Sequence, residues 1–157
     1  MKLALIRRAR RSETPAIAAV LSEAFREYEA EYTPAAFAAT TLPEAGLRLR
    51  WEEGPVWVAV VNAKVVGTVA AACRRRELFV RSMAIVPAAR GQGLGAALLA
   101  RVERYARTKG CIRLALTTTP FLSRAIQLYE RYGFVRGSKA PLDLYGTPLL
   151  EMVKRLQ

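Results

Sequence analysis

A turn with glycines at three alternate positions, Gly91, Gly93 and Gly95, is the feature that most constrains this chain. An apolar strand pattern ends just before the turn, and Leu94 begins a helix pattern with its apolar residues on one side. The first N–H groups of a helix are unpaired and attract anions, and glycines let a bulky anion approach the backbone closely. We therefore predict a phosphate-binding turn between a strand and a helix, with Arg90 adding a positive charge.

Two common phosphate-binding motifs match this turn less well. A nucleoside-triphosphate loop needs two glycines five residues apart followed by Lys-Ser/Thr, and the turn, which continues with Ala96, has no such lysine. Gly91, Gly93 and Ala96 do satisfy the dinucleotide fingerprint G-x-G-x-x-A. That motif also requires an acidic residue about 20 residues later to bind a ribose, and residues 111–119 contain none. Dinucleotide binding therefore remains a minor alternative.

Hydrophobic periodicity along the rest of the chain predicts an α/β (α+β) fold around one mixed sheet. The expected strands are 3–10, 56–61, 64–74, 78–86, 112–119, 134–136 and 149–153. The expected helices are 14–28, 34–41, 94–109 and 123–132, with a possible helical turn at 45–51.

The strand that leads into the glycine turn changes its pattern midway. Its apolar positions are even at Leu78 and Val80 but odd at Met83 and Ile85. Such a change of parity predicts a β-bulge near residues 81–82, because a bulge re-aims the side chains that follow it and frees backbone groups.

The motifs around this turn resemble a known family. Arg90-x-x-Gly93-x-Gly95 is similar to the Gln/Arg-x-x-Gly-x-Gly/Ala signature of the GNAT superfamily of N-acetyltransferases. Residues 83–87 resemble the end of that family's fourth strand, and residues 125–134 resemble its later A-x-x-L-Y-x-x-x-G-F helix and turn. Two signatures in the same order and spacing make the resemblance specific.

The resemblance covers most of the chain, because residues 149–154 also resemble the family's final strand. It implies a single GNAT-like domain over residues 1–157, with a mixed, mostly antiparallel sheet of about six to seven strands flanked by about four helices. The activity it implies is transfer of an acetyl group from acetyl-CoA to a primary amine of a small molecule or peptide. Dimers are common in the family, so a homodimer is possible.

The resemblance also assigns the residues that hold acetyl-CoA. The turn would bind its pyrophosphate, and the end of the fourth strand would bind its pantetheine arm and thioester carbonyl. The expected cofactor-binding residues are Met83, Ile85, Val86, Arg90, Gly91, Gln92, Gly93, Leu94, Gly95 and Ala96.

Catalysis by direct attack needs an acid for the leaving thiolate and a neutral amine. Tyr129 stands at the family's usual general-acid position, although a core aromatic residue would give the same pattern. Many members carry a glutamate in the fourth strand as the base, but the equivalent position here is Phe79. Glu77, two residues earlier with the same parity, is our candidate base, with a solvated strand-end carboxylate as the alternative.

A second departure from the family is Leu122, which stands where an asparagine often contacts pantetheine. Thr118 or Thr119 could supply the lost hydrogen bond. Because Phe79 and Leu122 both depart from the pattern, an acyl-CoA-binding sensor without turnover is the main alternative function.

The acceptor should contact the first two helices and the loop between them. Glu27 and Glu31 are four residues apart with Tyr28 and Tyr32 beside them, a cluster that could hold a cationic amine or could be a charged outer helix face. Arg81, in mid-strand, could pair with a carboxylate of the acceptor or could extend into solvent.

Composition excludes several other classes of site. The chain has no histidine and two separated cysteines, so we expect no metal and no Ser-His or Cys-His catalytic pair. Cys73 and Cys111 are predicted to be buried thiols of a reducing compartment. The apolar part of residues 1–6 is too short for a signal-peptide core and 65–73 is too short to span a bilayer, so we predict a cytoplasmic protein without a membrane partner.

The net charge of +12 favours polyanionic partners. Basic residues are scattered from Arg7 to Arg155, and no recognition-helix or RNA-binding aromatic pattern accompanies them. We therefore predict no specific nucleic-acid binding, and a basic nucleic-acid-associated protein is the second alternative function.

Overall fold

The computed structural model describes residues 3–157. The first two residues of the predicted 1–157 domain, which also begin the segment tested for a signal peptide, lie outside the described residues. Eight strands occur in the described part: β1 Ala4–Arg8, β2 Val56–Val61, β3 Lys64–Arg74, β4 Glu77–Ile85, β5 Arg113–Thr118, β6 Val135–Arg136, β7 Leu142–Leu144 and β8 Thr147–Arg155. Five α-helices accompany them: α1 Thr14–Phe25, α2 Pro34–Thr40, α3 Glu44–Glu53, α4 Leu94–Thr108 and α5 Ser123–Arg131.

Three short 3₁₀ segments, Arg11–Glu13, Arg26–Glu31 and Pro87–Ala89, complete the regular structure of these residues. None of the described helices is long and apolar enough to cross a membrane. Within the same residues, no cluster of three or more side chains of the types that bind metals is close enough to hold an ion.

The strands form one sheet in the order β1-β2-β3-β4-β5-β8-β6, and β7 pairs with β8 as a hairpin. Every neighbouring pair is antiparallel except β4 and β5, which are parallel and joined through α4. This mixed, mostly antiparallel α/β architecture confirms the predicted fold class. Parallel pairing is limited to Glu77–Phe79 against Arg113–Ala115, so β4 and β5 separate beyond Phe79.

The core lies around the central strands β2, β3 and β4. Residues 66–71 of β3 are buried without a break, which shows that both faces of the sheet are covered there. The helices α1 and α4 both pack on these strands. The largest fully buried side chains include Leu21, Val58, Val69, Leu78, Leu98, Leu99, Val102 and Leu114.

The bulge predicted near residues 81–82 is confirmed. Thr68 pairs with Ala84 and Ala70 pairs with Arg81, so Val69 alone lies opposite two residues of β4, Ser82 and the one after it. Ser82 has a φ of 49°, a left-handed conformation that few non-glycine residues adopt. The bulge lies where β4 leaves β5, next to the opening in the sheet.

Two elements exceed the predicted count of strands and helices. The helix α3 lies where the sequence predicted only a possible helical turn, at 45–51. Leu47 is its one fully buried residue, so its sequence carries only a weak apolar pattern. The three-residue strand β7 turns into β8 through Tyr145 and Gly146, both with positive φ, as in a tight hairpin. Short elements with few buried side chains leave little periodicity in a sequence.

The first helix also ends earlier than predicted. The helix α1 stops at Phe25, and residues Arg26–Glu31 continue as a 3₁₀ segment instead of reaching Tyr28 in α-helical form. The predicted acceptor residues Glu27, Tyr28 and Glu31 therefore lie on a tighter helix with three residues per turn.

The prediction of two buried thiols is correct for Cys111 and wrong for Cys73, which is exposed near the end of β3. The two Sγ atoms are 2.7 Å apart. Burial beside Cys73 raises the pKa of the Cys111 thiol to about 12, which keeps that thiol protonated at neutral pH.

Candidate functional site

A cavity of about 1120 Å³ fills the opening between β4 and β5. Eleven of the sixteen residues predicted for the site line it: Tyr28, Arg81, Met83, Ile85, Arg90, Gly91, Gly93, Leu94, Gly95, Ala96 and Tyr129. The remaining five lie outside the lining: Glu27, Glu31, Glu77, Val86 and Gln92. We call the part beside the glycine turn the turn end, and the part lined by Tyr28, Arg50, Arg81, Tyr145 and Glu151 the hairpin end.

The glycine turn presents open backbone to the cavity. Gly91 and Gly93 have φ values of 79° and 77°, and a Cβ added at either would meet no atom within 4 Å. Gly93 is the N-cap of α4, and no side chain caps this helix. The first intrahelical bond runs from Ala97 N to Gly93 O, so the N–H groups of residues 94–96 have no intrahelical partner. This arrangement suits an anion as bulky as a diphosphate.

The third glycine has a different role. A Cβ on Gly95 would approach Leu128 Cδ2 to 2.6 Å, so glycine lets α4 lie close against α5. Leu128 precedes Tyr129, and the close contact therefore fixes the position of Tyr129 relative to the turn.

Arg90 acts as a tether of the turn rather than as a free charge. Its guanidinium donates to Glu27 Oε1 at 2.5 Å, to Ala24 O at 3.0 Å and to Ile85 O at 3.3 Å. These bonds attach the turn to the end of α1 and to the end of β4. Glu27, which we predicted to hold an amine, is engaged by Arg90 and lies outside the lining.

Two of the three residues predicted at the end of β4 reach the cavity. Met83 and Ile85 line the cavity. Val86 does not, because its N–H donates to Val66 O at 2.9 Å and its carbonyl accepts from Ala89 N at 3.0 Å. The N–H of Val86 therefore points toward β3 and away from the opening.

Tyr129 lies on α5 and lines the cavity. It is 7% exposed and packs edge-to-face on Phe134, with ring centroids 5.7 Å apart. Burial, with a smaller contribution from nearby Tyr32, raises the pKa of Tyr129 to about 12. The phenol is thus a proton donor throughout the physiological range.

One residue of the lining carries a buried polar atom without a partner. Thr119 Oγ1 is buried and has no hydrogen-bond partner among the described residues. Thr119 and Leu122 both line the cavity at the end of β5. A buried hydroxyl without a partner is costly, so this atom fits a ligand that carries an amide or hydroxyl group.

Glu77 is not brought to the cavity. It lies at the start of β4, and its carboxylate pairs with Arg113 on β5. The neighbouring Phe79 does line the cavity, and the Lys139 ammonium lies 6.0 Å from the centre of its ring.

The hairpin end carries two arginines that share one carboxylate. Arg81 Nη1 lies 3.0 Å from Glu53 Oε2, and Arg50 Nη1 lies 3.0 Å from Glu53 Oε1. Arg50 Nε also donates to Ser82 Oγ at 3.0 Å, which joins α3 to the bulge. Two guanidiniums against one carboxylate leave an excess positive charge beside the cavity. Sequence reasoning missed Arg50 because α3 has almost no apolar pattern.

The hairpin is held over the cavity by Thr33, the N-cap of α2. Thr33 N donates to Thr147 Oγ1 at 3.0 Å, and Thr33 Oγ1 donates to Tyr145 O at 2.8 Å. Tyr32, the residue before it, is buried in the lining and packs edge-to-face on Phe121 at 4.9 Å. Burial raises the pKa of Tyr32 to about 12. Tyr32 belongs to the predicted acceptor cluster, whereas no local motif marks Tyr145 as a lining residue.

Comparison with known proteins identifies the family. The model of the acetyltransferase (GNAT) family matches residues 17–134. The uncharacterized N-acetyltransferase YjgM of Escherichia coli is 32% identical over 144 residues, which cover 83% of this chain and 81% of that protein. Acetyltransferase Atu2258 of Agrobacterium fabrum is 38% identical over 80 residues, 50% of this chain and 57% of that protein. The chain spans about half of the length of the first curated relatives it matches, including 40% of the probable N-acetyltransferase family 8 member 5 of mouse.

Solved structures share the fold over the whole chain. The PaiA N-acetyltransferase of Thermoplasma acidophilum, solved in complex with coenzyme A, superposes with a TM-score of 0.83 at 14% identity, covering 98% of this chain and 99% of that one. The ribosomal-protein-alanine N-acetyltransferase of Brucella melitensis superposes with a TM-score of 0.75 at 27% identity, covering 97% and 99%. With its glycine turn, split sheet and matching family model, the chain belongs to the GNAT family of acetyltransferases.

Proposed function

We propose that this chain transfers the acetyl group of acetyl-CoA to a primary amine of a small molecule or peptide by direct attack. The observation that supports this most is one continuous cavity that joins an open backbone cradle at Gly91 and Gly93 to the buried phenol of Tyr129. The coenzyme A in the PaiA structure supports the same choice of cofactor.

The turn end would hold the cofactor mainly through backbone. The N–H groups of residues 94–96 and the glycines before them would bind the pyrophosphate. Thr119 Oγ1 would bond a polar group of the pantetheine arm, in place of the asparagine that Leu122 replaces. Backbone groups of Met83 and Ile85, at and beyond the bulge, would face the thioester oxygen and stabilise its negative charge as the charge develops. Acetyl-CoA supplies the activated thioester.

Tyr129 would donate a hydrogen bond to the leaving sulfur. Its pKa of about 12 lies well above the value near 8.5 of a simple thiol, so full proton transfer to a free thiolate is uphill by about 5 kcal/mol. The phenol therefore stabilises the sulfur while its charge develops, and the proton moves as the nitrogen gives up its own.

The acceptor would enter at the hairpin end. Arg81 shares the Glu53 carboxylate with Arg50, so its positive charge is only partly balanced. It would pair with an anionic group of the acceptor, and Tyr28 would form part of the cavity wall. Glu27 is held by Arg90, and Glu31 is exposed outside the lining, so we assign neither of them to the acceptor.

The test is release of CoA thiol from acetyl-CoA with a panel of polyamines, amino acids, aminoglycosides and peptides with free N-termini. Release above background with one class would establish the activity and the acceptor class together. Because Phe79 and Leu122 depart from the family pattern, the second candidate is an acyl-CoA sensor. Tight acetyl-CoA binding without thiol release for any amine would favour the sensor.

A further inference from the structure

A buried carboxylate lines the hairpin end of the cavity. Glu151, on β8, is 6% exposed. It pairs with Thr117 on β5, and Ala115, two residues before Thr117, pairs with Phe79 on β4. Residues paired directly across strands share a face of the sheet, as do residues two apart on one strand. Phe79, Thr117 and Glu151 therefore share one face, and all three line the cavity.

The cations beside Glu151 do not hold it closely. Lys139 Nζ is 3.6 Å from Glu151 Oε2, and Arg113 Nη2 is 4.0 Å from the same atom, both beyond the hydrogen-bonding range of about 3.2 Å. Arg113 is already paired with Glu77, and the Lys139 side chain is 53% exposed. A cationic ligand in the cavity can therefore make the close contact that neither cation makes.

The other oxygen of Glu151 is enclosed by backbone. A Cβ added at Gly137 would overlap Glu151 Oε1, so the glycine makes room for the carboxylate. The carbonyl of Glu151 also accepts from Gly137 N at 2.8 Å, which fixes the strand at this point. The Glu151 carboxylate thus has a fixed backbone and two ion-pair partners at longer range, and a ligand ammonium could add the close hydrogen bond that both of them lack.

We propose that Glu151 binds the ammonium group of the acceptor and takes its proton before attack. The inference rests on the proposed acetyl transfer. Phe79 lines the cavity while Glu77 is paired with Arg113, so β4 places no carboxylate in the cavity. Glu151 lies on the same face as Phe79 two strands away, about 10 Å across the sheet. The acceptor ammonium takes the place of the Lys139 ammonium beside Glu151.

The protons and bonds balance as follows. An N–H bond of the ammonium breaks, its proton moves to a carboxylate oxygen of Glu151, and the freed lone pair forms the C–N bond as the C–S bond breaks. The sulfur takes the proton of Tyr129, and the second proton lost from nitrogen returns to the Tyr129 oxygen. Glu151 releases its proton to solvent, so the products are an amide, a thiol and one proton.

The test compares Glu151→Gln with wild type from pH 6 to pH 10, using the panel amine of highest turnover. At pH 7 we expect kcat/KM for the amine to fall about 100-fold with the KM for acetyl-CoA unchanged. The deficit should shrink to less than 10-fold near pH 10, because more of the amine is then neutral in solution and needs no base. Glu151→Asp should recover part of the rate, and Glu23→Gln, the same change on an exposed carboxylate of α1 outside the cavity, should have no effect.

A deficit of equal size at every pH would show that Glu151 only supports the structure, and full activity of Glu151→Gln would remove it from the reaction. Either result would overturn this inference and leave acetyl transfer intact, whereas a wild-type enzyme inactive with every amine would overturn both. Should Glu151→Gln fail to fold, Lys139→Met provides the test. Removal of the competing ammonium should lower the KM for the amine several-fold, and an unchanged or higher KM would contradict the proposal.

Discussion

The two ends of the cavity are built in different ways. The turn end is formed by one continuous stretch in which Gly91 and Gly93 expose backbone N–H groups. The hairpin end is formed by side chains such as Arg50, Arg81 and Glu151, which come from α3, β4 and β8. The difference suggests that the turn end recognises a constant feature of a cofactor, while the hairpin end determines which acceptor is used.

The construction also affects how each end tolerates change. Backbone groups cannot be altered by most substitutions, so the turn end is sensitive only where a side chain would fill the open space. Side chains at the hairpin end can each be replaced without moving the strands that carry them. Substitutions at the two ends should therefore separate cofactor binding from acceptor binding, and the following predictions test that separation.

The largest effect is expected for Gly93→Leu at the turn end. The leucine would fill the space for the pyrophosphate, so acetyl-CoA affinity measured by calorimetry should fall more than 100-fold. Gly110→Leu is the matched control, because Gly110 also has a positive φ, of 72°, and open space at its Cβ, but it lies at the end of α4 outside the lining. Both variants should lose about 1–2 kcal/mol of stability from backbone strain. An equal loss of acetyl-CoA affinity in both variants would contradict the proposal that the glycine turn binds the pyrophosphate.

The next effect is expected for Tyr129→Phe, which removes the phenol hydroxyl from the cavity lining. Loss of the hydroxyl should lower kcat about 100-fold and leave the KM for acetyl-CoA within about twofold, because the ring remains and only the proton donor is removed. Tyr105→Phe, which changes a tyrosine that packs on Trp57 outside the cavity, should retain full activity in the same thiol-release assay. Unchanged kcat in Tyr129→Phe would remove this residue from the mechanism.

A smaller effect is expected for Arg81→Gln at the hairpin end. Loss of one guanidinium should raise the KM about 10-fold for amines that carry a carboxylate, because Arg50 and Glu53 then balance each other. The KM for acetyl-CoA should not change. Arg104→Gln, on the exposed side of α4, serves as the control for lost charge. An equal rise for amines with and without a carboxylate would argue against anion recognition.

The smallest effect concerns stability in alkali. The pKa of Tyr129 is raised from about 10 in an unfolded chain to about 12 in the fold, so the folded state keeps the proton longer. The stability associated with the neutral phenol is complete below pH 10 and is lost as the pH rises through 12. Between pH 9 and pH 11, the free energy of unfolding measured with urea should fall by about 1 kcal/mol more in wild type than in Tyr129→Phe. Equal losses would indicate that the phenol is not buried in solution.

The sequence predicted the fold class and the turn because both leave local patterns. The parity change between Val80 and Met83 located the bulge opposite Val69, since a bulge shifts every later side chain by one position. The packing role of the third glycine, Gly95, was not predicted. Its contact with Leu128 joins two helices through residues that are 33 positions apart in the sequence. The pairing of Arg90 with Glu27 was missed for the same reason.

The strand–turn–helix at residues 85–96 and the bulge in β4 therefore follow from the sequence alone, because their physical causes act between near neighbours in the chain. By contrast, the pairing of Glu77 with Arg113 and the place of Glu151 in the cavity depend on contacts between distant parts of the chain. Both are strand glutamates with similar local surroundings. Their roles differ because β4 and β5 separate after Phe79, and that separation depends on how strands that are distant in the sequence pair with one another.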